Sequence, residues 1–281
     1  MVDAMVNRVE DYLIDGLSFK LNPGASYVTD RRSVSYWTAG TNEYSAGTGS
    51  KVIRINLTGD GWLDPSTARV IYTIQNNDGT AAKLLRPISG PWSFFRRVRC
   101  MVGGATVDDI DFYNRVQQML HILSSKENRN NDEVEGFGPR WDHDNLYGGW
   151  TADGTAQILG GINNSKTVSF KPLSGLLNQP NYIPLSWCPI NFELEGVTNP
   201  TDAIIGIGGN CNGTNTSTLW TSKDARIVRD VVTLDSALQN SDAEHVLSGK
   251  ALPINYSTYI SQFQSITSAD LAVNVSRQHQ D

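Results

Sequence analysis

From Ser26 onward the chain is a succession of short runs rich in β-branched and aromatic residues, cut apart by clusters of glycine, asparagine and aspartate. Runs of that kind suit strands crossing a pleated sheet, and the clusters between them supply the positive φ angles that tight reversals need. The pattern constrains the chain to an all-β fold. Strands are predicted at about 26–38, 51–57, 68–75 and 93–102, and again at 167–170, 182–184, 190–195 and 225–234. Lys51-Val-Ile-Arg-Ile-Asn-Leu-Thr58 alternates as a strand with one wet face should, and Asn76-Asn77-Asp78-Gly79 is a strong turn. Loops of very unequal length between these strands favour a jelly-roll β-sandwich over an up-and-down barrel.

Helical spacing interrupts the pattern in three places. Met5, Val9, Tyr12, Leu13 and Leu17 form an amphipathic stripe in an N-terminal arm, residues 1–24, that either closes one end of the domain or docks on a partner or an internal membrane. Thr106 reads as an N-cap placing Asp108, Asp109 and Asp111 in a first helical turn, with Ile110, Tyr113, Val116, Leu120 and Leu123 as the apolar stripe behind them. Ser241-Asp-Ala-Glu244 is a capping box for a third helix, which Gly249 is placed to end. A polar, then Gly- and Trp-containing stretch at about 124–165 reads as a long inserted loop.

At 281 residues, 39% hydrophobic and with seven Trp, the chain can bury one large sandwich and carry an extra piece. The resulting map is an arm at 1–24, a sandwich at 25–234, a linker helix at 235–249 and further strands at 252–259 and 270–275. Two strands alone cannot make a sheet that stands by itself, so this last part either pairs with the rest or opens a second, incomplete sandwich.

Composition narrows the function. A formal charge of −6 and a pI near 5.2 leave no basic surface for gripping nucleic acid. Cys100, Cys188 and Cys211 are odd in number and widely spaced, which supports neither a disulfide framework nor a zinc cage. No signal peptide and no run long enough to cross a bilayer is predicted. The six sequons, at Asn56, Asn163, Asn212, Asn215, Asn255 and Asn274, read as loop composition.

Several residues invite a chemical reading. The acids at Asp108, Asp109 and Asp111 are accounted for by a helix dipole, and Trp141-Asp-His-Asp144 offers an imidazole between two carboxylates without further ligands. Ser174 lacks a nucleophile elbow, and Gly103-Gly104 lacks the continuation of a phosphate loop. His121 and His245 fall in predicted helices. Neither a catalytic set, a metal site nor a cofactor site is predicted. Arg96, Arg97 and Arg99 form the densest basic cluster; with no aromatic platform around it, ion pairs at a subunit interface, with Asp108 to Asp111 as partners, are the preferred reading.

Phe94-Phe-Arg-Arg-Val-Arg-Cys-Met-Val-Gly-Gly-Ala-Thr-Val-Asp-Asp-Ile-Asp-Phe-Tyr-Asn-Arg-Val116, and Pro172-Leu-Ser-Gly-Leu-Leu-Asn178 followed by Tyr182-Ile-Pro184, resemble double jelly-roll viral major capsid proteins of the Polinton-like, adintovirus and virophage type. Asp235-Ser-Ala-Leu, His245-Val-Leu-Ser-Gly-Lys-Ala-Leu-Pro-Ile254 and Val275-Ser-Arg277 resemble the linker and opening strands of the second jelly roll in such proteins. The resemblance implies a homotrimeric, pseudo-hexameric capsomer that tiles with neighbouring capsomers into an icosahedral shell around double-stranded DNA. The protein would reside in the virion, with minor capsid or penton proteins as candidate further partners. Arg96, Arg97, Arg99, Asp108, Asp109, Asp111, Trp141 and Trp150 are the candidate interface residues. The competing reading is a monomeric, lectin-like sandwich whose loops with Trp141, Trp150 and Trp220 grip a sugar.

Overall fold

The computed structural model describes residues 28–40, 42–46, 51–125, 160–206 and 215–263. The chain divides into two units, one of Arg31–Val232 with Leu252–Asp281, the other of Met1–Asp30 with Thr233–Ala251. The predicted arm helix, most of the 124–165 loop and the strand at 270–275 lie outside the described residues.

In the larger unit the elements run β1 (Val28–Trp37), β2 (Glu43–Tyr44), β3 (Val52–Leu57), β4 (Trp62–Leu63), β5 (Arg69–Asn76), β6 (Phe95–Val102), β7 (Ala105–Ile110), α1 (Tyr113–Ile122), β8 (Ser165–Phe170), α2 (Gly175–Asn178), β9 (Ile183–Pro184), β10 (Ile190–Gly196) and β11 (Trp220–Leu234), the first residues of β1 and the last of β11 belonging to the smaller unit. Alternation drives the strands: in β3, Ile53, Ile55 and Leu57 are buried while Val52, Arg54 and Asn56 are exposed, and β5 buries every second residue from Val70 to Asn76.

These strands make two antiparallel sheets. Along one side of β11, β5 pairs with Trp220–Val228 and β4 with Val231–Val232, which leaves the other side to β1 and β2. With the two-residue strands set aside, the larger sheet has the order β1-β11-β5-β8 and the smaller the order β3-β10-β6-β7. Along the chain, strands visit the sheets in the sequence larger, smaller, larger, smaller, smaller, larger, smaller, larger. Eight strands interleaved in this way, with one hairpin, are a jelly roll. Ile53, Ile55, Phe192, Leu194 and Val98 from the smaller sheet join Val70, Tyr72, Ile74, Ile227 and Phe170 from the larger in one core. Tyr72 meets Phe94, Phe95 and Phe170 edge-on and donates its hydroxyl proton to the carbonyl of Pro91 at 2.5 Å.

Two predicted elements come out differently. The helix expected from Thr106 is instead β7, because Gly103 and Gly104, at φ +58° and +85°, turn the chain straight back onto β6. The helix starts only at Tyr113, so Asp108, Asp109 and Asp111 are not in its first turn, Ile110 belongs to β7, and Leu123 is exposed rather than part of a buried stripe. Residues 252–259 form no strand.

The smaller unit contains α3 (Ser236–Leu247), which buries none of its residues. Its N-cap is Asp235, whose carboxylate accepts the backbone N–H of Ala237 at 3.0 Å, so the capping box at Ser241 falls inside the helix instead of starting it. Asp235 precedes the good helix formers Ala237 and Leu238, and the helix starts there. Gly249, at φ +81°, closes the helix as predicted, its N–H donating to Val246 at 3.0 Å. Among the described residues no helix is long and apolar enough to cross a membrane.

Candidate assembly face and the Asp108 clasp

Side chains on one face of a strand recur every second residue, so Arg97 and Arg99 leave β6 on the same side, away from the core position of Val98. Register then brings opposite charges together. Arg54 of β3 lies opposite Glu193 of β10, Glu193 opposite Arg99 of β6, and Arg99 opposite Asp109 of β7. A row of alternating charge therefore crosses all four strands, with Arg54–Glu193 at 2.6 Å, Glu193–Arg99 at 3.4 Å and Arg99–Asp109 at 3.8 Å. Arg97 adds a two-pronged pair with Asp109, at 2.6 and 2.5 Å. That hydrogen bond is the main cause holding the Arg97 guanidinium above its ordinary pKa. Arg96 reaches Asp111 at 3.4 Å, and its guanidinium lies 5.3 Å from the centre of the Phe112 ring. The arginines thus pair with the predicted acids, and the partners are in the same chain.

Asp108 points to the other side of β7 and is buried. One carboxylate oxygen accepts the hydroxyl of Ser174 at 2.7 Å and the backbone N–H of Gly175 at 2.8 Å, while the other accepts the hydroxyl of Thr258. Cys100 lies 3.4 Å from the Ser174 oxygen, and burial, helped by the charge of Asp108 and opposed by the Ser174 contact, pushes its thiol up to about 12. Tyr256 donates its hydroxyl to Val107 at 2.6 Å; burial first, then the charge of Asp108, raises its pKa. Three segments far apart in sequence are tied at one carboxylate. Ser174, weighed as a nucleophile, spends its proton on Asp108 inside this cluster, and His121 packs against Trp92, with ring centres 5.0 Å apart.

Trp141, Trp150 and His143 lie outside the described residues. Trp220, the third aromatic of the sugar-binding reading, is a core residue: it is buried, packs on Phe94 at 4.8 Å and donates its indole N–H to Pro200 at 3.3 Å. Two surface tryptophans carry no sequence expectation. Trp37 is 54% exposed with Arg226 stacked 4.9 Å from its ring centre, and Trp187 is 44% exposed beside the largely buried Trp62. On α1 the side chains of Met119, Ile122 and Leu123 are exposed together. The only signal that could have found Trp37 is its place at the frayed end of an alternating run; Trp187, in the turn after β9, carried none. No group of three His, Cys, Asp or Glu side chains suited to a metal ion occurs among the described residues.

No protein-family model and no curated protein matches the chain. Among solved structures it is similar to one described as "PBCV-1 virus capsid, quasi-atomic model" and to one described as "Crystal structure of PBCV-1 VP54 fitted into a cryo-EM reconstruction of the virophage Sputnik". Each has 14% identity and a TM-score of 0.49, over 80% of this chain and 47% of the other. The chain spans about half the length of these structures.

Proposed function

We propose that this chain is a structural capsid subunit, a major capsid protein whose trimeric, pseudo-hexameric capsomers tile an icosahedral shell around double-stranded DNA, and that it is not an enzyme. One observation carries the reading. Two of the stretches on which the capsid resemblance rests, 94–116 and 172–178, are separated by more than fifty residues of chain, yet they meet at the Asp108 carboxylate inside a jelly roll. That contact sits inside the strand order β1-β11-β5-β8 over β3-β10-β6-β7, which is the order a jelly-roll subunit requires.

In this reading residues 25–234 form the first sandwich, 235–249 a linker and 250–281 the approach to a second one. The self-contacts of the assembly use the charged surface of the β6–β7 hairpin, at Arg96, Arg97, Arg99, Asp109 and Asp111, with the inserted loop that holds Trp141 and Trp150. Asp108, buried, supports that surface from within. The location is the virion; minor capsid or penton proteins are candidate neighbours, and nucleic acid is enclosed without being gripped.

The test is the oligomeric state of the purified chain. Light scattering, native mass spectrometry and negative-stain microscopy are expected to show trimers, and larger shell-like particles at high concentration. A strict monomer at every concentration, or a monomer that binds immobilised glycans, would overturn the proposal.

A further inference from the structure

Among the described residues β7 is the outermost strand of the smaller sheet, paired on one side with β6 and on the other with no strand. An open edge of this kind is a template for strand addition by another chain. Residues 252–263, which belong to no sheet, occupy it. Where β7 bulges, between the Cys100–Asp108 and Met101–Thr106 pairs, Val107 drops out of the ladder, and its carbonyl accepts the Tyr256 hydroxyl at 2.6 Å. Thr258 bonds the Asp108 carboxylate, and Ser261 bonds the carbonyl of Asp111. Phe263 stacks on Phe112, with ring centres 4.9 Å apart. A Cβ on Gly175 would sit 2.3 Å from the carbonyl oxygen of Ser257, so a glycine there is what admits the segment to its place.

These ties have a common character. Each polar one runs through a side-chain hydroxyl, while Tyr259, Ile260 and Phe263 remain exposed. Ile254 and Tyr256 pack partly buried against the core, and the rest of the segment is held by these few side-chain bonds, which is how a releasable cover differs from a strand of the sheet. We propose that residues 252–263 are an edge guard, clasped by Asp108, that keeps β7 from pairing with the edge strand of a second copy of this chain. The inference does not depend on the shell reading; it concerns whichever association the open edge would otherwise permit.

The full chain carrying Tyr256→Phe, Thr258→Val and Ser261→Ala removes the three hydroxyls and leaves both sheets intact. Hydrogen exchange at 105–111 and 252–263 is expected to quicken about tenfold or more, with β5 and β10 still protected, and light scattering is expected to show added, concentration-dependent association relative to the unmodified chain. Thr258→Val alone should move the same two segments by a smaller factor. Unchanged exchange in those segments in either variant, or a freed segment without added association in the triple variant, would overturn the proposal.

Discussion

Arg229 is 1% exposed on the inward face of β11, and none of its three guanidinium nitrogens has a hydrogen-bond partner among the described residues. Its one favourable neighbour is the face of Tyr36, 4.2 Å from the ring centre. Burial pulls its pKa down to about 10, against the opposing pull of Tyr36. The folded state therefore disfavours this charge, and below about pH 10 the cost is constant, since the group is protonated in both states. Arg229→Met fills similar space without the charge and is expected to leave the denaturation midpoint unchanged or raise it by up to about 2 kcal/mol in stability, read by urea unfolding at neutral pH. Cys100 gives the opposite kind of test. Its folded pKa is raised from 9.0 to about 12, so the neutral thiol is the favoured form, and stability falls as pH rises from about 9 towards about 12 while only the unfolded chain ionises. At about pH 10.5 this loss is about 2 kcal/mol. Unfolding at that pH and at about pH 8 should differ by that much less in Cys100→Ala than in the unmodified protein. Neither residue advertised its setting in the sequence: an alternating run shows which side of a strand faces inward, but not that an arginine on that side finds no anion.

Among elements, the β6–β7 hairpin shows where local reading succeeds and where it fails. β3 and β5 were legible because period-two burial is written into consecutive residues. β7 was not, because three aspartates in five residues after a threonine suit a helix start as well as a strand, and only the pairing with β6 decides. The deciding signal was present in Gly103-Gly104 and in the arginines and acids spaced either side of it, a hairpin with complementary charges. Gly104→Val, at φ +85°, is expected to cost about 1–2 kcal/mol, measured by thermal unfolding, because a β-branched residue resists the left-handed region. In the charge row, Glu193 sits between two arginines, and Glu193→Gln should cost about 1 kcal/mol at low salt and less as salt is added. The tie between Asp108 and Thr258 spans 150 residues and left no trace in any local window.

For the whole molecule, the all-β class and most of the long strands could be read from runs and turns, whereas the jelly-roll order could not be read from them, since it consists of pairings between distant segments. Exposed Trp37 and Trp187 belong to this scale, because nothing within the larger unit requires them on the surface. If such patches serve assembly, Trp37→Ser and Trp187→Ser should each leave the melting temperature nearly unchanged while lowering the fraction of assembled protein in sedimentation velocity runs. Both sheets also depend on their later strands. β10 joins β3 to β6, and β11 joins β1, β2 and β4 to β5. Thr29 of β1 bonds the carbonyl of Thr233, 204 positions further along. During synthesis the first strand must therefore wait for β11 to leave the ribosome, and until Trp220–Leu234 has emerged the larger sheet has flanks but no centre; a nascent chain halted before that point would be a client for chaperones rather than a folded domain.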